Sequence, residues 1–323
     1  MALFLNHEDV CASVTMLDAV DAMEGAFREQ AEGKVTQPHR LNLKAGKGWL
    51  RVGPAVLEGS GYMGFKAMNL APGHGVRYQV HLYRIADGEL LAIMDALHLT
   101  TLRTGATSAV ATRRLAGGGA MTVGVIGSGI EARAQLEAMH ALGLVRSARV
   151  YSPTQANREK FAADYSRSLG IEVLPVDRAK EAVSGCGLVV AAVKSTETAL
   201  LGEWLEPGTH VNSVGTARPE QREIDPATFQ RSAVIVVDTR EGVFGEAGDV
   251  IAAKGIVLPE QVYELAELVT GRAPARCDDQ QITLFKSVGS AHQDVAIAAR
   301  IFERACEKNL GSEIDGFPIK KIS

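Results

Sequence analysis

Val123-Gly-Val-Ile-Gly127-Ser128-Gly129-Ile130-Glu-Ala132 decides how this chain is read. The apolar run Met121 to Ile126 meets Gly127-x-Gly129-x-x-Ala132, and an amphipathic stretch, Arg133 to Leu142, follows. Strand, tight glycine turn and helix, in that order, form a cradle for a dinucleotide pyrophosphate. Gly127 allows the turn, and Gly129 lets the backbone approach the phosphates at the helix N-terminus. Ala132 keeps the helix close to the strand, with Ser128 and Ile130 completing the turn.

Downstream, apolar stretches at Ser147–Tyr151, Ile171–Leu174, Cys186–Val193, Thr209–Val214 and Ala233–Asp238 alternate with helical or loop segments, including a helix over Ala156–Leu169. That rhythm predicts an α/β fold, a doubly wound parallel sheet of Rossmann type. Upstream, Leu3–Leu5 reads as a strand, Asn6 as a turn or cap, and Val14–Gly33 as a helix burying Leu17, Val20, Met23 and Phe27. From Gln37 to Met94 short strands are broken by glycine, with Ala86-Asp-Gly88 as a hairpin turn; this half reads as α+β. Asp95–Leu115 is helical in character and Gly117–Gly119 makes a joint. A strand at Ile282–Phe285, then Ser287-Val-Gly289, leads into a long closing helix.

At 323 residues the chain has room for two domains and a full core. With 46% hydrophobic and 22% charged residues and a net charge of −4, it gives no reason to expect nucleic acid or an anionic membrane as partner. No apolar run approaches the roughly 20 residues that span a bilayer. The N-terminus lacks the features of a signal peptide. Cys11, Cys186, Cys277 and Cys306 form no C-x-x-C pair, so reduced core thiols in a cytoplasmic protein, with no metal, are expected.

The second strand of the nucleotide unit ends in Tyr151-Ser152-Pro153-Thr154, without the carboxylate that usually accepts the ribose hydroxyls of NAD. Ser152, Thr154 and Asn157 are the candidate ribose contacts. Arg158, one turn into the helix, is either a phosphate reader or a solvated surface arginine. Proline where a phosphate-reading cation is expected favours NAD(H) slightly, with NADP(H) as the alternative.

Four further stretches carry a resemblance: Gln37-Pro-His-Arg40, Gly64-Phe-Lys66, Leu102-Arg103-Thr104-Gly-Ala-Thr-Ser-Ala109 and Val211-Asn-Ser-Val214-Gly215. With Ser287-Val-Gly289, they make the chain similar over its whole length to the ornithine cyclodeaminase/μ-crystallin family. The resemblance implies a homodimer. A substrate-binding and dimerisation domain would be built from residues 1–118 and 284–323, with a dinucleotide-binding domain at 119–283. It implies that Arg40, Lys66 and Arg103 hold the α-carboxylate of a small imino or amino acid, and that Thr104, Val214, Ser287 and Gly289 line the cofactor. Charge-assisted donors suit a carboxylate withdrawn from water.

Two departures sharpen the expectation. The deaminating branch of the family carries Asp two residues after the glycine of the Val-Gly pair, and Ala217 stands there. Its loss points away from deamination and toward ketimine reductases, with Lys66 or a water protonating the imine. Arg51 takes the place of a glutamate that faces the substrate amine. Turned inward, it would read a second carboxylate, as in iminosuccinate reduced to L-aspartate. Turned outward, it meets solvent or a carboxylate such as Glu58. His39, Arg77 and His81 are further polar candidates for this pocket. Oxidative deamination of ornithine, lysine or alanine is one rival reading, and a carrier that binds nucleotide without turnover is another.

Overall fold

The computed structural model describes residues 2–316, which divide into two compact units. The first runs to Arg103 and resumes at Ser290; the second is Thr104–Gly289. Chain order in the first is β1 (Ala2–Leu5), α1 (His7–Ser13), α2 (Met16–Ala31), β2 (Val35–Thr36), β3 (Leu41–Ala45), β4 (Gly48–Leu57), β5 (Tyr62–Ala71), β6 (Gly75–Arg84), β7 (Leu90–Asp95) and the opening of α3 (Leu97–Leu115). The second unit holds the rest of α3, β8 (Met121–Ile126), α4 (Ile130–Ala141), β9 (Val145–Tyr151), α5 (Gln155–Leu169), β10 (Glu172–Pro175), α6 (Ala179–Val183), β11 (Leu188–Ala191) and β12 (His210–Ser213). It closes with α7 (Pro226–Arg231), β13 (Ser232–Val237), α8 (Arg240–Glu246), α9 (Gly248–Ala252), β14 (Tyr263–Glu264), α10 (Leu265–Val269) and β15 (Ile282–Lys286). The chain ends in the first unit with α11 (Ala291–Lys308) and β16 (Ser312–Ile314).

In the first unit, Asn6 and Thr15 start α1 and α2 through reciprocal bonds with Asp9 and Asp18, satisfying helix-end N–H groups that would otherwise lack partners. Val20, Met23 and Phe27 of α2 are fully buried, whereas Leu17 is 47% exposed, so the expected apolar stripe begins a turn later. The sheet order is β16-β1-β7-β6-β5-β4-β2, with β3 also on β4. Strands β3 to β7 pair antiparallel, and α11 packs on β4 and β5. Pairing fixes which side chains share a face. Asn42, Arg51 and Met68 line up across three strands, as do Gly53, Lys66 and Val80 two residues along, on one face. The other face carries Leu41, Leu43 and Leu50, at 54%, 48% and 38% exposure.

The second unit is the expected doubly wound sheet, entirely parallel in the order β10-β9-β8-β11-β12-β15-β13-β14. Its central strands β11, β12 and β15 are buried at every residue, the pattern of a sheet covered on both faces. The expected domain boundaries, 118/119 and 283/284, fall inside this unit. Gly105 packs so closely on α4 that a Cβ there would lie 2.6 Å from the Ala134 carbonyl oxygen. Thr112 accepts a bond from Asn212 (2.9 Å), and Leu115 accepts one from Thr283 (2.7 Å). Asp238 holds Ser287 and the Gly289 N–H at 2.7 and 2.6 Å. The later part of α3 and the residues after β15 are therefore bound into the parallel-sheet unit.

Of the four free cysteines only Cys186 is buried. The expectation of core thiols is corrected for Cys11 and Cys306, which lie on exposed helix positions, and for Cys277 in a loop. Among the described residues no helix is long and apolar enough to cross a membrane.

Candidate functional site

In the first unit the cations expected to hold a carboxylate converge. Lys66 is in mid-β5 and 5% exposed; Arg103 lies in α3 and is 7% exposed. Opposite Lys66 across the β4–β5 ladder is Gly53, where a Cβ would already be 3.6 Å from Cγ of Arg40 and 3.5 Å from Cβ of Ala291. Arg40 and the start of α11 therefore lie against this position at ordinary van der Waals distance.

An anion ties the cluster together. Oδ1 of Asp294, in the first turn of α11, accepts from Lys66 Nζ at 2.8 Å and from Arg103 Nε at 3.0 Å. Arg103 Nη1 also donates to Gln293 Oε1 at 3.0 Å, and Lys66 Nζ to Thr100 Oγ1 at 3.4 Å. The His292 N–H donates to Gln37 Oε1 at 3.0 Å, fixing the segment that carries Arg40. Burial pulls the Lys66 ammonium down to about 8, with Arg103 and Arg40 adding to the pull and Asp294 opposing it. Burial would raise the Asp294 carboxyl, but Lys66 and Arg103 outweigh it and hold it below its usual range. Burial also lowers His292 to about 3, leaving it neutral.

Arg51 shares the face of Lys66, two residues away along β4. Its Nε donates to Asn42 Oδ1 at 2.5 Å, and its guanidinium lies 6.0 Å from the Trp49 ring centroid. Two of the remaining polar candidates, Arg77 and His81, do not share this face. Arg77 and His81 pair with Asn69 and Phe65, so they project from the opposite face, where His81 stacks on Phe65 at 4.7 Å. His39 is exposed.

In the second unit the glycine turn has the geometry its sequence demands. Gly127 has φ +114°, and a Cβ there would meet the Ala192 carbonyl oxygen at 2.5 Å. Gly129 is the N-cap of α4; a Cβ there would meet nothing within 4 Å, so the helix N-terminus is open to an approaching anion. Ala132 is fully buried and Ile130 is 51% exposed. Ser128 Oγ donates to Ser152 Oγ at 3.0 Å, joining the turn to the end of β9, and Thr154 is the exposed N-cap of α5. Arg158 is corrected on exposure: it is 9% exposed, with Nη1 on the Ser152 carbonyl (3.1 Å) and Nη2 on Asp177 (2.5 Å). The Thr104 carbonyl accepts from Gln135 of α4 at 3.2 Å, and the Val214 N–H donates to Ala191 at 3.0 Å. Ser287 and Gly289 serve Asp238, as described above. Beside Val214, Lys286 Nζ is fully buried among Glu223 (3.1 Å), Asp249 (2.7 Å), Ser213 (2.8 Å) and Thr216 (2.6 Å). Burial alone would strip its proton, but the two carboxylates outweigh burial and keep it charged.

Residues 1–309 match the ornithine cyclodeaminase/mu-crystallin family. The chain belongs to this family. Δ1-Pyrroline-2-carboxylate reductase of Thermococcus litoralis, solved with NADH and L-proline, superposes with a TM-score of 0.92 at 35% identity, covering 97% of this chain and 100% of that one. An archaeal alanine dehydrogenase dimer with bound NAD gives 0.91 at 34% identity, covering 98% and 99%. The ketimine reductase mu-crystallin of Mus musculus is 31% identical, over 93% of this chain and 96% of its own length.

Sequence reasoning missed Asp294, Gln293 and Asn42 in this family member. A signal for Asp294 was present. It falls at helical spacing with Ala298, Ile301 and Ala305, all buried, so a carboxylate occupies the apolar stripe of α11. A buried carboxylate demands a cationic partner.

Proposed function

We propose that this chain is an NADH-dependent imine reductase that converts a 2-imino acid to the L-amino acid. What carries the proposal is the convergence of three cations, Arg40, Lys66 and Arg103, at one buried spot of the first unit, surroundings that suit the α-carboxylate of a substrate. In the second unit, Gly127, Ser128, Gly129, Ile130 and Ala132 would hold the pyrophosphate, with Ser152 and Thr154 at the ribose. Engagement of Arg158 by Asp177 supports NAD(H) over NADP(H). Bound NADH supplies the hydride. Lys66 donates the proton that makes the imine carbon electrophilic, and it carries that proton at neutral pH because it titrates near 8. The reaction demands that Cα be held facing the nicotinamide, and a carboxylate anchored at a buried cluster is held in one orientation.

For the side chain we favour a dicarboxylic imine such as iminosuccinate. Arg51 stands two residues from Lys66's cross-strand partner on the same face, about 7 Å along the strand, a span suited to a second carboxylate on a short carbon chain. Its Nε donates to the side-chain oxygen of Asn42, which fixes the guanidinium on that face. Oxidative deamination is the second reading, supported by the likeness to the archaeal alanine dehydrogenase. A homodimer is supported by that neighbour and by the exposed leucines on the outer sheet face. The free cysteines accord with a cytoplasmic setting. The deciding experiment offers iminosuccinate, cyclic ketimines, and 2-oxo acids with ammonia, each with NADH and with NADPH, beside L-amino acids with NAD+. Fast amino-acid oxidation with no imine reduction would sink the reductase proposal.

A further inference from the structure

Asp294 accepts two cations on a single carboxylate oxygen, and Lys66, Arg103 and Asp294 are all nearly sequestered from water. We infer that Asp294 is the positioning residue of this site, holding Lys66 and Arg103 in register and deciding whether Lys66 carries a proton when the substrate arrives. The inference rests on the reading of Lys66 as proton donor. Neither arginine can fill the donor's place, because a guanidinium does not release its proton in this pH range.

The surroundings of Lys66 show why the carboxylate matters. Without Asp294, Lys66 would lose the carboxylate bonded to its ammonium while burial, Arg103 and Arg40 still act on it, and a buried lysine in such company sheds its proton. With Asp294 bonded to it, Lys66 keeps its proton until the substrate is seated. The proton then leaves for the imine nitrogen: Lys66 keeps the N–H bonding pair, the nitrogen lone pair forms the new N–H bond, and the C=N π pair moves to nitrogen as hydride from NADH adds to Cα. Among the described residues, other titratable or charged groups set toward this spot include Arg40 before β3, Arg51 on β4, Tyr78 on β6, Arg103 on α3 and the neutral His292 on α11. Of these and Asp294, only Asp294 is an anion at neutral pH. Its place in the first turn of α11 adds the helix dipole to its stabilisation.

The test is titration of Lys66 in the free protein by NMR of 13C-labelled lysine, with Lys66→Met to assign the resonance. Asp294→Asn should move the midpoint toward acid by about one unit or more, since loss of a directly bonded charge at a buried site has that scale. Asp294→Glu should largely restore it. Arg103→Met, which removes a neighbouring cation, should move it the other way, and it carries the test if Asp294→Asn does not fold. In turnover, the alkaline limb of imine reduction should shift toward acid with the Asp294→Asn midpoint. An unmoved midpoint in Asp294→Asn, the same sign of shift in Arg103→Met, or uniform loss of activity with an unmoved limb would each overturn the assignment. Because the titration needs no substrate, absence of imine reduction would count against the proposed reaction and leave the role of Asp294 separately judged.

Discussion

Arg51→Glu is the perturbation that most directly tests the substrate assignment. Arg51 lies on the face of Lys66, two residues from Lys66's cross-strand partner, and its Nε is held by the neutral Asn42. If it reads a second carboxylate, the substitution removes a charge-assisted hydrogen bond worth about 1.5–3 kcal/mol. It also sets like charges about 5 Å apart, roughly 3 kcal/mol at an effective dielectric near 20. Together these correspond to a loss of about 10³- to 10⁴-fold in kcat/KM for a dicarboxylic imine. A monocarboxylic imine should change by less than about threefold, because its single carboxylate uses Arg40, Lys66 and Arg103. The assay is initial-rate NADH oxidation with iminosuccinate and with a cyclic monocarboxylic ketimine, run near pH 6.5. At that pH Lys66 is protonated in both proteins, so any upward push on its titration by the new anion does not enter. Arg51→Met separates loss of attraction from gain of repulsion, and should cost the dicarboxylic substrate only the smaller part. Equal losses on both substrates would show that Arg51 does not read a distal acid group, and a loss confined to the monocarboxylic imine would reverse the assignment.

Four further outcomes follow from the same geometry. Because Lys66 titrates near 8 and reduction uses its protonated form, imine reduction should fall as pH rises through 8, while amino-acid oxidation, which needs the free base, should rise over the same interval; pH profiles in the two directions check this. Gly129→Ala should leave the thermal midpoint nearly unchanged, since its Cβ meets open space, yet weaken NADH binding tenfold or more by about 1.4 kcal/mol of lost approach; Gly127→Ala should in addition destabilise the fold, because its Cβ meets the Ala192 carbonyl oxygen at 2.5 Å. Lys286→Met leaves Glu223 and Asp249 buried without their cation and should cost about 3–5 kcal/mol in denaturant unfolding. Leu50→Glu, on the outer sheet face, should shift the sedimenting species from dimer to monomer, and an unchanged dimer would place the interface elsewhere.

The parts of this molecule legible in its sequence are those governed by local rules. Met121–Ile126 followed by Gly127 declared a strand and a tight turn because positive φ and close approach leave glycine little competition at such a position. Asn6 announced a cap, and Ala86-Asp-Gly88 a hairpin, for similarly local reasons. Where residues act through distant partners, local rules fell short. Leu17 has the helical spacing of a core residue but lies at the first turn of α2, where nothing covers it enough to bury it. Arg158 had the composition of a surface arginine, yet an exposed carboxylate nineteen residues on and the carbonyl ending β9 hold it in place.

The cation site shows the limit most clearly. Arg40, Lys66 and Arg103 were found because motifs surround them, but their charges alone describe a cluster that would repel itself. The residue that lets them coexist, Asp294, is 191 positions from Arg103 and 228 from Lys66. No spacing rule links those positions; only the return of the closing helix to the first unit does. What the sequence did contain was an anomaly, a carboxylate in an otherwise apolar stripe, and physical chemistry permits such a residue only when cations elsewhere need it. A buried anion on one element and unexplained cations on others are thus two halves of one observation, and pairing them is a contact inference available before any fold is known.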